Sequence, residues 1–111
     1  MAARTKAPAS WREIQHLALS INGYAVAGDD ACGAMANALD GSYKREGPAA
    51  LAKLSTEHLR CALFYEQRRW RHFGEVPNDD AMSYIRAIVG ELGRREGIEW
   101  LWARVKEGRS A

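Results

Sequence analysis

The chain has 111 residues, near the commonest size for one domain and too few for two domains with a cleft between them. Hydrophobic residues make up 47% and charged residues 27%, a balance that argues against wholesale disorder. With 16 basic and 14 acidic side chains the formal net charge is +2, which neither requires a nucleic-acid partner nor excludes one. No apolar run approaches the roughly 20 residues of a membrane span. No secretory signal is recognisable either, so we expect a cytoplasmic protein without a membrane partner.

The beginning of the chain predicts a tail followed by a helix. Residues 1–9 are small and basic, and we expect them to form a flexible N-terminal tail. Ser10, with Glu13 three residues later, has the pattern of a capping box, in which side chains satisfy the first amides of a helix. Apolar residues then recur at helical spacing, which predicts a first helix over residues 11–25 that ends before Gly28.

The next segment predicts a second helix and a short third one. Asp29 or Asp30 is expected to cap the second helix, and Gly47 with Pro48 breaks the chain after it. Residues 49–54 form a candidate short helix, with the proline at its first turn.

The second half of the chain carries the clearest start and stop signals. Ser55 is predicted to cap a long helix over residues 56–73, which Gly74 ends. Asn78 is predicted to cap the following helix, and apolar spacing predicts a last helix over residues 98–106.

No segment alternates with the period of two that a half-buried strand requires. The predicted fold class is therefore all-α, a compact single-domain bundle of about five helices over residues 10–107. Residues 108–111 are expected to form a C-terminal tail.

The cysteines and histidines do not predict a metal site. Cys32 and Cys61 are far apart, lack the CxxC spacing of zinc sites, and are expected to be reduced and buried. Glu13 and His16 form an E-x-x-H pair, but a di-iron site needs two such pairs on facing helices. We therefore expect neither a metal nor another cofactor.

One face of the long helix carries a carboxylate among apolar residues. On a helical wheel this face holds Leu59, Ala62, Leu63, Glu66, Trp70 and Phe73. An unpaired buried carboxylate is costly, so we expect Glu66 to be paired with an arginine or with a backbone or indole N–H group. Arg86 on the following helix is the candidate arginine, and we interpret the pair as structural.

The opposite face of the same helix is the candidate binding surface. It combines basic, amide and aromatic side chains: Arg60, Phe64, Gln67, Arg68 and Arg71, with His72 at its edge. This mixture suits a protein interface and equally suits phosphate contacts with base stacking; a solvated face is the third alternative. Trp100 on the last helix is a further candidate, as a binding anchor, a packing residue or a homodimer contact.

No P-loop, G-x-G-x-x-G motif or nucleophile elbow is present, and we expect the protein not to be an enzyme. The first hypothesis is a non-enzymatic small helical binding protein that acts through protein–protein interaction. Phage and mobile-element inhibitors and accessory proteins, including those of anti-CRISPR type, share this size and class. The alternative is a nucleic-acid-binding regulator that uses the basic-aromatic helix at residues 56–73, with strongly salt-dependent affinity.

Overall fold

The computed structural model describes residues 5–21, 29–74 and 76–110, except for the side chains of residues 29–32 and 73. Within these ranges the chain forms six helices and no strand. The helices are α1 (Trp11–Ile21), α2 (Asp29–Glu46), α3 (Ala49–Ala52), α4 (Thr56–Phe73), α5 (Asp79–Glu96) and α6 (Ile98–Ser110). The all-α prediction is confirmed, with the candidate short helix present as α3. None of the described helices is long and apolar enough to cross a membrane.

Four of the predicted helix ends have the capping residue that the sequence predicts. Ser10 Oγ accepts a hydrogen bond from the amide of Glu13 at 3.2 Å, and Ser55 Oγ accepts one from the amide three residues later at 3.2 Å. Asn78 Oδ1 accepts an amide of the first turn of α5 at 2.9 Å. Gly74 has a φ of 66°, the left-handed conformation in which glycine ends a helix without a Cβ penalty.

One connected core joins the longer helices. Its largest fully buried side chains are Ile14, Leu17, Ile21, Leu39, Leu59, Leu63, Ile85, Ile88, Val89, Leu92, Leu101 and Val105. They recur at helical spacing, as the sequence predicts. The helix α4 packs against α1, α2 and α5, while α1 lies along α6. Because three helices pack against α4, only a narrow face of it is exposed. Only the side chains on this face can contact a binding partner.

The last residues pack against the fold instead of forming a tail. Helix α6 extends to Ser110, and Gly108 within it is buried against α1. A Cβ built on Gly108 would lie 1.8 Å from the backbone carbonyl oxygen of His16. Only a glycine lets the two backbones approach this closely. Because residues 108–110 belong to α6, the prediction of a tail from residue 108 is wrong as far as residue 110.

The described part of the predicted N-terminal tail is also held against the helices. Pro8 is buried, and the carbonyl oxygen of Lys6 accepts a hydrogen bond from Trp102 Nε1 at 2.8 Å. The carbonyl oxygen of Ala9 accepts one from Arg86 Nε at 2.9 Å. Residues 5–9 are therefore in contact with α5 and α6, while the flexibility of this stretch stays a prediction.

Some predictions fall on parts of the chain that lie outside the described residues. They are the end of the first helix before Gly28, the capping side chain of Asp29 or Asp30, and the side chain of Cys32. Cys61 is described and is buried, as expected.

Candidate functional site

The predicted binding face of α4 is divided by the packing. Arg68, Arg71 and His72 are exposed, and their spacing places them on one face of the last turns of α4. We call these three residues the basic patch. Gln67 is only 3% exposed and Phe64 is half-buried. Including Gln67 in an exposed surface was wrong, because helices pack along three sides of α4 and cover this position.

Arg60 and Trp100, which the sequence predicts as separate candidates for binding, lie in one cluster. The guanidinium carbons of Arg60 and Arg104 each lie 5.4 Å from the centroid of the Trp100 ring, within the range of a cation–π interaction. Arg60 also forms a partly buried ion pair with Glu96. The cluster connects α4 with α5 and α6 within one chain, and we therefore interpret Trp100 as a packing residue.

Glu66 is buried and paired with an indole, as expected. It is 5% exposed, and its Oε2 accepts a hydrogen bond from Trp70 Nε1 at 3.2 Å. Its Oε1 lies 3.9 Å from Nη1 of Arg69. The proposed partner Arg86 was wrong, because it donates to the segment before α1. Arg86 follows the buried Tyr84 by two residues, and about 200° of helical rotation carries it to the other side of α5.

Glu66 forms part of the wall of an open cleft between α2, α4 and the start of α5, with a volume of about 500 Å³. Tyr43 and Tyr84 line the same cleft, and their ring centroids are 5.0 Å apart with the planes inclined at 58°. The Tyr84 hydroxyl is buried and has no hydrogen-bond partner within the described part of the chain. Asp40 and Trp70 complete this inner wall.

Burial raises the pKa values of two side chains that line the cleft, Glu66 and Tyr84. It raises the pKa of Glu66, an effect that the charge of Arg69 and the hydrogen bond from Trp70 oppose and the charge of Asp40 reinforces. Burial also raises the pKa of Tyr84, and the carboxylates of Glu66 and Asp40 add to the rise. The interior of the cleft therefore disfavours added negative charge.

The raised pKa of Glu66 predicts how stability depends on pH. The folded state favours the protonated carboxyl, so wild type loses stability as pH rises from the unfolded value of 4.5 through the raised folded pKa. Glu66→Gln keeps the shape and an acceptor for Trp70 but does not ionise. We expect its urea midpoint to match wild type near pH 4 and to exceed it increasingly as pH rises, until pH passes the raised folded pKa of Glu66.

Glu91→Gln is the matched control, with the opposite sign. Hydrogen bonds from Arg94 and Arg95 hold the pKa of Glu91 below its ordinary value, so its ionised form stabilises the folded state. That stability is present above the unfolded pKa and is lost as pH falls through the depressed folded pKa. Glu91→Gln should therefore be less stable than wild type at neutral pH and approach it in acid. If the urea midpoints of Glu66→Gln and wild type differed by the same amount at every pH, the raised pKa of Glu66 would be contradicted.

Sequence reasoning missed Asp40 and Tyr84 as parts of a site. Tyr43 and Tyr84 lie 41 residues apart in the chain, on two different helices. The available signal was the presence of hydroxyl groups on two apolar helix faces, which require partners when buried. Nothing local shows that these faces meet beside Glu66.

Comparison with known proteins finds no family model that matches this chain, no similar curated protein and no similar solved structure. Within residues 5–21, 29–74 and 76–110, no group of three or more His, Cys, Asp or Glu side chains is placed to hold a metal ion. Function is therefore argued from the basic patch and from the cleft.

Proposed function

We propose that this protein is a non-enzymatic binding protein that acts through protein–protein interaction, with the basic patch as its contact surface. One observation carries the proposal: Val76, which is 70% exposed, lies in the short connection that follows the patch. An exposed apolar side chain near exposed arginines in the sequence fits a protein interface, because arginine is enriched there and more than half of the interface area is apolar. The partner surface that complements it is acidic, with an apolar contact for Val76.

A nucleic-acid partner is the alternative, and the geometry supports it less. Arginines alone can contact phosphates, but binding to single strands gains much of its affinity from bases stacked on exposed rings. Phe64 is half-buried, and the ring of Trp100 already lies against Arg60 and Arg104. The aromatic rings that would stack on bases are thus already packed against other parts of the protein. An inhibitor or adaptor that covers an acidic protein surface fits the patch better.

The double substitution Arg68→Ala with Arg71→Ala tests the patch. Both side chains are exposed, so we expect unfolding free energy to change by less than about 0.5 kcal/mol. Partner affinity should fall at least about tenfold, equivalent to about 1.4 kcal/mol. The control is Lys106→Ala with Arg109→Ala, which removes the same charge from exposed positions on α6. It should leave affinity within about twofold of wild type.

The experiment is capture from host lysate with and without nuclease, read by mass spectrometry and followed by titration of the purified partner. A stoichiometric protein that survives nuclease, binds wild type and the control, and loses affinity for the patch variant supports the proposal. Recovery of nucleic acid, or loss of all partners after nuclease, would favour the alternative, as would affinity that falls steeply with salt. A large fall in melting temperature of the patch variant would instead place these arginines in the fold.

A further inference from the structure

The cleft between α2, α4 and α5 presents carboxylates and aromatic rings around a cavity large enough for a side chain or a small molecule. We propose that it binds an organic cation, an alkyl-ammonium or alkyl-guanidinium group, held between Glu66 and Tyr84. The shared chemistry is the cationic head on a short aliphatic chain, whether it comes from a free amine or from a basic side chain of a peptide.

Two oxygens at the cleft have unused hydrogen-bonding capacity, and one of them, the Tyr84 hydroxyl, is fully buried. The Tyr84 hydroxyl has no hydrogen-bond partner among the described residues, although this residue is only 5% exposed. Glu66 Oε2 receives Trp70 Nε1, but Oε1 accepts no hydrogen bond within the same part of the chain. Its nearest cation, Nη1 of Arg69, stands 3.9 Å away, beyond hydrogen-bond distance. An ammonium or guanidinium group carries several N–H donors and can satisfy both oxygens together.

The aromatic rings favour the same ligand. Tyr43, Trp70 and Tyr84 all line the cleft, and the two tyrosine rings are in contact. The face of an aromatic ring attracts a cation, most strongly where water is excluded, while the aliphatic part of the ligand gains from apolar contact. Rings and carboxylates together are the combination that recognises organic cations rather than hydrated metal ions.

The charged side chains that line the cleft include more carboxylates than cations, which favours an added cation. Asp40, Glu66 and Asp80 contribute carboxylates, and Lys44 and Arg69 contribute cations. The lysine side chain is 74% exposed and the arginine side chain is 52% exposed, so both can move into solvent at little cost. An anion would meet the carboxylates of Asp40 and Glu66, which already disfavour negative charge, and a neutral ligand would not balance the excess of carboxylates over cations.

The proposal is independent of the proposed function. None of the residues of the basic patch lines the cleft, so a partner can bind one surface without occupying the other. Failure of cation binding would leave the protein-binding proposal unchanged, and the reverse also holds.

The Trp70 indole N–H is a direct reporter, because it donates to the carboxylate that would receive the cation. We would titrate the ¹⁵N-labelled full chain with n-butylammonium chloride at constant ionic strength and follow the indole signals, with Trp70→Phe to assign the reporter. We expect a saturable shift of the Trp70 signal, with much smaller shifts of the Trp100 and Trp102 signals. n-Butanol and sodium butyrate, of similar size but without the positive charge, should not produce it.

The variants should change affinity in opposite directions. Glu66→Gln should weaken n-butylammonium binding at least about tenfold, because it removes the charge-assisted hydrogen bond. Tyr84→Phe should weaken it several-fold, as should Asp40→Asn, which tests the site independently of the buried carboxyl. Arg69→Ala should strengthen binding, since it removes a competing cation. Asp79→Asn, an exposed carboxylate in the same helix as Tyr84, is the control and should have no effect.

A second titration, with an N-acetylated Ala-Lys-Ala amide, distinguishes the two sources of the cation. Tighter binding of the peptide than of n-butylammonium would indicate a side chain from a partner, and tighter binding of the free amine would indicate a small molecule. Absence of a saturable shift with both probes would overturn the proposal. An equal shift with n-butanol would overturn it as well, and so would unchanged affinity in folded Glu66→Gln and Asp40→Asn proteins.

Discussion

Gly108→Ala should lower the free energy of unfolding by about 2 kcal/mol. The added Cβ would lie 1.8 Å from the His16 carbonyl oxygen and 2.6 Å from its carbonyl carbon, so α6 must move away from α1. Overpacking of this kind costs about 1–3 kcal/mol or more, and a rigid backbone neighbour places the cost at the upper end. Removing a helical glycine returns about 1 kcal/mol, which offsets part of the loss. Urea unfolding followed by tryptophan fluorescence measures the difference.

Gly90→Ala is the matched control for this prediction. A Cβ on Gly90, in the exposed middle of α5, would meet no described atom within 4 Å. The same substitution should therefore stabilise the protein there by about 0.5–1 kcal/mol, because alanine loses less backbone entropy than glycine in a helix. Equal effects at the two sites would contradict the close approach of α1 and α6.

Arg95→Ala is expected to have the second large effect, a loss of about 2 kcal/mol. Its guanidinium donates to the carbonyl oxygen of Leu51 at 2.9 Å and to Thr56 Oγ1 at 3.3 Å, and its Nε donates to Glu91 at 3.1 Å. The side chain is only 17% exposed, so α3 loses buried donors for its last carbonyls when the guanidinium is removed. Hydrogen bonds to charged groups contribute about 1.5–3 kcal/mol, which sets the expected magnitude. Thermal and urea unfolding both measure it.

Arg94→Ala provides a control at the neighbouring position. Arg94 also pairs with Glu91, at 2.7 Å, but its side chain is 66% exposed. An exposed ion pair of this kind contributes about 0.2–1 kcal/mol, so we expect a loss below about 1 kcal/mol. If the two substitutions cost the same, Arg95 does not hold α3 against α5, and the burial of Ala50 and Leu51 would have to stabilise the short helix instead.

Local signals in the sequence predicted most of the helical architecture. Ser55, Asn78 and Gly74 mark helix ends through hydrogen bonds and backbone conformations that span only a few residues. The buried side of each helix follows from the spacing of its own apolar residues, so the core was also predictable. The cost of an unpaired buried charge predicted that Glu66 has a partner but did not choose between an arginine and an N–H group, and the partner is the Trp70 indole one helical turn away.

The sequence by itself determined most of the helices and the apolar residues of their buried faces, whereas the tertiary structure decided which remaining residues are buried and which form a surface or a site. Gln67 and Arg68 are adjacent in the chain, yet packing along three sides of α4 buries the first and exposes the second. Gly108 does not end α6. It lies where α1 packs against α6, and its lack of a side chain makes room for the backbone of α1. Asp40 and Tyr84 join Glu66 in one cleft only because α2 and α5 both pack beside α4. Capping and periodicity act over about four residues and can be recognised from neighbours in sequence. Contacts between helices depend on how whole faces fit together, and no short stretch of sequence encodes that fit.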